Sequence, residues 1–117
     1  MALHTQLPIY RAAYDLLDVV VDLAKNMPRD FKASIGGKLR DEVVAVTILI
    51  FRANTAREKG PHLQSLTERL QVAELMLRLA RDKKLISIPQ YARAVELTTG
   101  IGKQCSGWRR ASASPAS

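Results

Sequence analysis

The sequence predicts an all-α protein, an antiparallel up-and-down four-helix bundle. Three observations carry this. Four segments show apolar residues recurring at i, i+3 and i+4 spacing, and Pro28, the pair Gly60-Pro61 and Ser87-Ile88-Pro89 separate them. The connections between them are short, which suits helices that pack beside their chain neighbours. A length of 117 residues with 47% hydrophobic content is that of one ordinary globular domain.

The first helix is expected over about residues 8–26. Pro8 suits a first turn, where its missing N–H has no intrahelical partner in any case. Arg11, Asp15, Asp18, Asp22, Lys25 and Asn26 collect on a narrow polar stripe. The rest of the circumference is apolar, from Ile9 and Tyr10 to Leu23 and Ala24, so cover on two sides is expected. Met27-Pro28-Arg29-Asp30 breaks the pattern. A second helix is expected over about 34–58, with Ser34 as candidate N-cap. Its centre, Val43 to Phe51, is rich in β-branched residues and of strand length. Yet both flanks are helical in composition, no turn residue separates them from the centre, and a lone strand would lack a partner. One long helix, buried all round at its centre, is the reading.

Gly60-Pro61 opens a third helix, reaching to about residue 84. Leu63, Leu66, Leu70, Ala73, Leu77 and Ala80 form one apolar stripe. Val72, Leu75, Met76 and Leu79 form a second and are the expected oligomer interface, because such surface rarely stays exposed on a monomer. On the polar side, Glu74–Arg78 and Arg78–Asp82 have i,i+4 spacing. Ser87 and Gln90 have the capping-box spacing at the start of a fourth helix. Its apolar face is Tyr91, Ala94, Val95, Thr98, Ile101, Cys105 and Trp108. Gly100, Gly102 and Gly107 predict an irregular or closely packed end. The bundle is thus expected over 7–110, with the low-complexity residues 111–117 as a disordered tail.

Composition narrows the function. A single cysteine allows no intrachain disulfide, and Cys105 on an apolar stripe reads as a buried structural thiol. The opening residues lack the pattern of a signal peptide, and the longest apolar run falls far short of the ~20 residues that span a bilayer. A cytoplasmic protein without membrane contact is expected. Asp15, Asp18 and Asp22 share a face but lack the loop oxygens of a calcium site, and His4 and His62 stand alone, so no metal is expected. Gly36-Gly37-Lys38 and Gly100-Ile101-Gly102 miss the spacing of nucleotide-binding loops, so neither cofactor nor enzyme activity is expected.

The charge points elsewhere. Lys and Arg number 18 against 11 Asp and Glu, a net +7. Residues 1–51 carry six of each sign, and residues 52–117 carry twelve basic against five acidic, so the whole excess lies in the second part. Arg78, Arg81, Lys83 and Lys84 cluster at the end of helix three. Two readings stay open for them: phosphate contact, or a solvated last turn whose cations complement the helix dipole. Arg93, Lys103 and Arg110 lie together opposite the apolar face of helix four, with Arg109 adjoining. Together these eight residues form an expected surface for RNA or DNA backbone, with weak sequence selectivity. The alternative is a scaffold that docks an acidic protein surface. The aromatic residues Tyr10, Tyr14, Phe51, Tyr91 and Trp108 read as core packing, with Trp108 also beside the basic pair Arg109-Arg110.

The layout also resembles a known family. The residues that carry this are Leu7-Pro8-Ile9-Tyr10-Arg11-Ala12-Ala13-Tyr14, Met27-Pro28, Lys38-Leu39-Arg40, Leu75-Met76-Leu77-Arg78-Leu79-Ala80 and Ile101-Gly102-Lys103-Gln104-Cys105-Ser106-Gly107-Trp108. They are similar to the four-helix-bundle proteins of intervening sequences in bacterial large-subunit ribosomal RNA genes. That group includes the accessory variability determinants (Avd-like) of diversity-generating retroelements. Many members carry Ser-x-Pro-x-Asn-Ile-Ala-Glu-Gly in helix two; here Ala45 to Ala53 keeps only its Ile, as Ile50. The retroelement branch shares that departure, and its terminal Gly-Ser-Trp is similar to Ser106-Gly107-Trp108. The resemblance implies a ring-like homopentamer that binds nucleic acid and a reverse transcriptase or other protein partner.

Overall fold

Residues 3–113 are described by a computed structural model, and among them every regular element is helical. The four long helices are α1 (Pro8–Lys25), α2 (Gly37–Thr55), α3 (Gly60–Asp82) and α4 (Ile88–Ala113). A 3-10 turn (His4–Gln6) precedes α1, and a short helical turn (Arg29–Phe31) runs into a π-helical turn (Lys32–Gly36) before α2. The helices lie side by side in a rod of 53 × 20 × 19 Å, with α1 on α2 and α4, and α3 on the same two.

One stripe from each helix fills the interior. Leu16 and Val20 of α1, Leu39, Val43, Val46 and Ile50 of α2, Leu63, Leu66 and Leu77 of α3, and Ile101 of α4 are fully buried. The six-residue stripe expected on the third helix is buried in full. The β-branched run is helical throughout, so burial of an i, i+3, i+7 face outweighs the modest helix propensity of Val and Ile.

α2 is not buried all round, however. Val44 (36% exposed), Ile48 (46%) and Phe51 (45%) face outward beside Tyr14 (59%) and Val21 (43%) of α1. Only two neighbours cover each helix, so a fully apolar helix must leave one flank uncovered. Tyr14 and Phe51 therefore do not serve the core. Phe51 instead meets the His4 ring edge-on at a centroid distance of 4.9 Å, and His4 meets Tyr10 at 5.1 Å.

Several boundaries differ from the sequence pattern. Ser34 does not cap α2: it lies inside the π-helical turn, and its hydroxyl donates back to the Asp30 carbonyl at 3.5 Å. α2 stops at Thr55 rather than 58, where Lys59 Nζ donates to the carbonyls of Ala53 (2.8 Å), Ala56 (3.0 Å) and Asn54 (3.3 Å). These carbonyls are the unpaired acceptors of a helix end, and a lysine satisfies them well. α3 stops at Asp82. The pairs Glu74–Arg78 and Arg78–Asp82 do not form, because Glu74 accepts from Thr98 of α4 (3.0 Å) and Asp82 pairs with Arg81 (2.8 Å). The capping box at α4 is reciprocal: Ser87 N–H donates to Gln90 Oε1 at 2.7 Å, and Gln90 N–H to Ser87 Oγ at 3.2 Å.

α4 runs unbroken past its three glycines to Ala113. Residues 111–113 of the expected disordered tail are thus helical, and 114–117 lie outside the described residues. None of the three glycines is imposed by packing; an added Cβ at Gly100 would meet nothing within 4 Å.

Gly36 is the opposite case. A Cβ there would lie 2.9 Å from Ala24 Cβ, 3.1 Å from Ala24 Cα and 3.3 Å from Met27 Sδ, so the π-helical turn rests directly on the end of α1. Gly36→Ala is expected to destabilise the protein by about 1–3 kcal/mol through overpacking. Gly100→Ala, in open space within a helix, should stabilise it by about 0.5–1 kcal/mol. Paired denaturant melts check both signs.

Candidate nucleic-acid interface

The eight cations expected on one surface fall into two groups. Arg78, Arg81, Lys83, Lys84 and Arg93 gather where α3 ends and α4 begins. Lys103, Arg109 and Arg110 lie on the last turns of α4. Seventeen residues separate Arg93 from Arg110, which at 1.5 Å each is roughly 25 Å.

The first group is shaped by the way α3 terminates. Leu85 N–H donates to the Ala80 carbonyl (2.8 Å) and Lys84 N–H to that of Arg81 (2.9 Å), the paired bonds of a Schellman motif. The motif needs a left-handed residue at Lys84, whose φ is 59°. Glycine is the usual occupant, since a side chain in that conformation costs roughly 1–2 kcal/mol. Lys83 and Lys84 are exposed on this turn, and with Arg78 they make no ion pair among the described residues.

Arg81 is differently placed. Its guanidinium lies 4.6 Å from the centre of the Tyr91 ring and donates to Asp82 Oδ1 from Nε (3.1 Å) and Nη2 (2.8 Å). The hydrogen bonds to Asp82 hold its pKa above the ordinary guanidinium value. Arg93 reaches Glu96 at 3.6 Å, a weak exposed pair. Three cations of this group are therefore free for an incoming anion, and two are partly engaged.

In the second group, Lys103 and Arg110 line a groove of about 640 Å³ between α3 and α4, together with Gln71, Glu74, Thr99 and Ser106. Arg109 does not line the groove but shares an adjoining depression with Ser106, Arg110 and Ala113. Lys59 lies over the Trp108 ring, 5.9 Å from its centre. Cys105 is buried, its sulfur 3.5 Å from the Leu63 carbonyl and from Thr67 Oγ1.

Of the expected interface residues, Leu75 (65%) and Leu79 (38%) are exposed, while Val72 and Met76 are half-buried. Among the described residues no three His, Cys, Asp or Glu come together to hold a metal ion, and no helix is long and apolar enough to cross a membrane.

The sequence pattern missed one charged constellation. Glu42 of α2 is only 2% exposed, yet its carboxylate accepts from Arg69 of α3 (3.1 and 3.3 Å) and from Lys38 one turn earlier (2.9 Å). The signal was available: Lys38 and Glu42 have i,i+4 spacing, and Glu42 falls on the same face as Leu39, Val43 and Val46. An acid on an apolar face needs a partner from another helix.

Burial alone would raise the Glu42 pKa, but the hydrogen bonds and charges of Lys38 and Arg69 outweigh it and hold the carboxyl below its ordinary value. The folded state thus binds this proton less tightly than the unfolded state does. Its stabilisation is present at neutral pH and is lost as pH falls through the ordinary carboxylate range and then through the folded value. Glu42→Gln is expected to cost about 1–3 kcal/mol at pH 7. The gap between wild type and variant should close on acidification, as read by urea melts from about pH 7 down to about pH 3; a constant gap would refute the charge-based account.

A comparison with family models matches residues 7–112 to the bAvd-like family. No curated protein matches the chain. The match spans all four helices, from the residue before Pro8 to the last turn of α4, and so the chain belongs to the bAvd-like family.

Proposed function

We propose that this chain is a non-enzymatic, homo-oligomeric accessory module that binds the backbone of RNA or DNA in the cytoplasm. The observation that carries the reading is Lys84. A lysine occupies a left-handed position where glycine is the ordinary choice, beside two further cations that make no ion pair among the described residues. Backbone strain retained to present a charge marks that charge as useful. Phosphates need cationic donors of this kind and no particular base chemistry, so binding is largely independent of sequence. The second cluster, Lys103, Arg109 and Arg110, extends the surface along α4.

The same proposal includes an antiparallel up-and-down bundle and a ring-like pentamer. Contacts along α3 and α4 support the first: Thr98 meets Glu74, while Cys105, later in α4, meets the carbonyl of Leu63, earlier in α3. Two separate apolar surfaces support the second. One is the α1–α2 flank with Tyr14, Val21, Val44, Ile48 and Phe51, and the other is the α3 face with Leu75, Leu79, Val72 and Met76. Unlike surfaces on different sides of a protomer suit head-to-tail contacts, which close into rings. Kinship with proteins of ribosomal RNA intervening sequences, and a reverse transcriptase as protein partner, belong to this proposal too.

Anisotropy with a labelled duplex and a structured RNA tests the binding. Affinity should fall by about 10³-fold between roughly 50 and 200 mM salt if about six phosphates are engaged. Lys84→Gly separates the two readings of the helix-three cluster. Relief of strain should raise stability by about 1 kcal/mol while the salt slope shrinks by about 0.9. Raised stability with unchanged affinity would mean a solvated helix end, and retention of an acidic protein without nucleic-acid affinity would favour the scaffold. Light scattering tests the assembly: Ile48→Asp and Leu75→Asp should each dissociate it, and a wild-type monomer would refute it.

A further inference from the structure

The sum of charges over residues 1–51 is zero, and by itself points to no ligand. Folding separates the two signs. Asp15, Asp18 and Asp22 stay on the exposed side of α1. Arg29, Lys32, Lys38 and Arg40 converge on one surface pocket of about 540 Å³, where the short helical turn and the π-helical turn run into α2. Four of the six cations in this part of the chain thus share one depression, whose lining includes a single carboxylate, Asp41.

The pocket's construction favours an anion. Apart from the cations and Asp41, its lining is the small residues Ala33 and Gly37. Gly37 is not dictated by its neighbours, since a Cβ there would meet only ordinary contacts at 3.8 and 3.9 Å. Its effect is to leave the backbone open to close approach. Lys38 is held at 2.9 Å by the buried Glu42, which fixes one charge on a rigid helix. Arg40 has only the long exposed contact to Asp41 at 3.5 Å, and Arg29 and Lys32 form no ion pair among the described residues. Two guanidinium groups and two ammonium groups around a small-residue floor match the several oxygens of a phosphate, which arginine contacts in bidentate fashion.

We propose that this pocket binds a phosphate group, with Arg29, Lys32 and Arg40 as its donors and Lys38 as a fixed charge beside them. Resting on the nucleic-acid reading above, the source of that phosphate is the RNA or DNA backbone. The binding surface then reaches from the α3–α4 corner to the start of α2.

The variant Arg29→Gln/Lys32→Gln/Arg40→Gln alters only exposed side chains and leaves the Glu42 cluster intact. A control with the same loss of charge, Arg11→Gln/Arg52→Gln/Arg57→Gln, lies outside the pocket. Circular dichroism melts establish that both fold. Two measurements follow: the salt dependence of RNA affinity, and amide chemical shifts of Ala33 and Gly37 on titration with pyrophosphate. The expected result is a salt slope lower by about 2–3 in the pocket variant, a smaller change in the control, and amide shifts seen in wild type and absent from the pocket variant. Equal slope changes in variant and control, with no amide shifts, would overturn the pocket and leave the nucleic-acid function standing. Wild-type protein that binds no RNA or DNA but shows the pyrophosphate shifts would overturn that function and retain the phosphate site, with a free phosphate compound as its ligand.

Discussion

The contact between Gly36 and Ala24 governs how the first two long helices meet. With no side chain at Gly36, the π-helical turn settles onto the last turn of α1, so close that a Cβ there would lie 2.9 Å from Ala24 Cβ. α2 begins directly after this close approach. Leu39, Val43, Val46 and Ile50 turn inward, and Val44, Ile48 and Phe51 turn out. On the same helix Lys38 and Glu42 stand opposite Arg69, and Arg40 shares a pocket with Arg29 and Lys32. A methyl added at Gly36 would press on Ala24 and Met27, and close-packed interiors transmit such a displacement rather than absorb it.

Charge is organised at two depths. Glu42 is almost fully buried, and both its partners are half exposed, so the desolvation of one carboxylate is offset by two cations that keep much of their own hydration. At the surface the opposite holds. Arg78, Lys83 and Lys84 make no ion pairs among the described residues, and Lys84 holds a left-handed backbone that its side chain disfavours. A stabilised structure would pair these groups or place glycine at the turn. Their retention is what a surface for anions requires, and it fits the accessory role proposed for this member of the bAvd-like family.

Much of the fold was legible in the residues. The stripe from Leu63 to Ala80 is buried as its spacing predicted, and Ser87 with Gln90 forms the reciprocal cap that its spacing predicted. These are local properties, set by helical periodicity and by hydrogen bonds over three residues. The errors were of another kind. Ser34 looked like a cap, but the chain enters α2 through a π-helical turn dictated by contact with α1. The glycines of α4 predicted an irregular or closely packed end, but at about 1 kcal/mol each they are outweighed by the burial of Ala94, Thr98, Ile101 and Cys105 on the same helix.

The candidate site divides in the same way. Sequence alone determined that this is an all-helical chain with four long segments, a buried stripe on each and a cationic excess toward its end. Those follow from residue type and spacing, which tertiary contacts do not alter. Only the tertiary structure decided which cations stand together. It drew Glu42 to Arg69 across two helices, and collected Arg29, Lys32, Lys38 and Arg40 from a stretch with no net charge. A charge count sums over the chain, whereas a ligand meets the few groups within reach of one place on its surface. Packing, not composition, chooses that place.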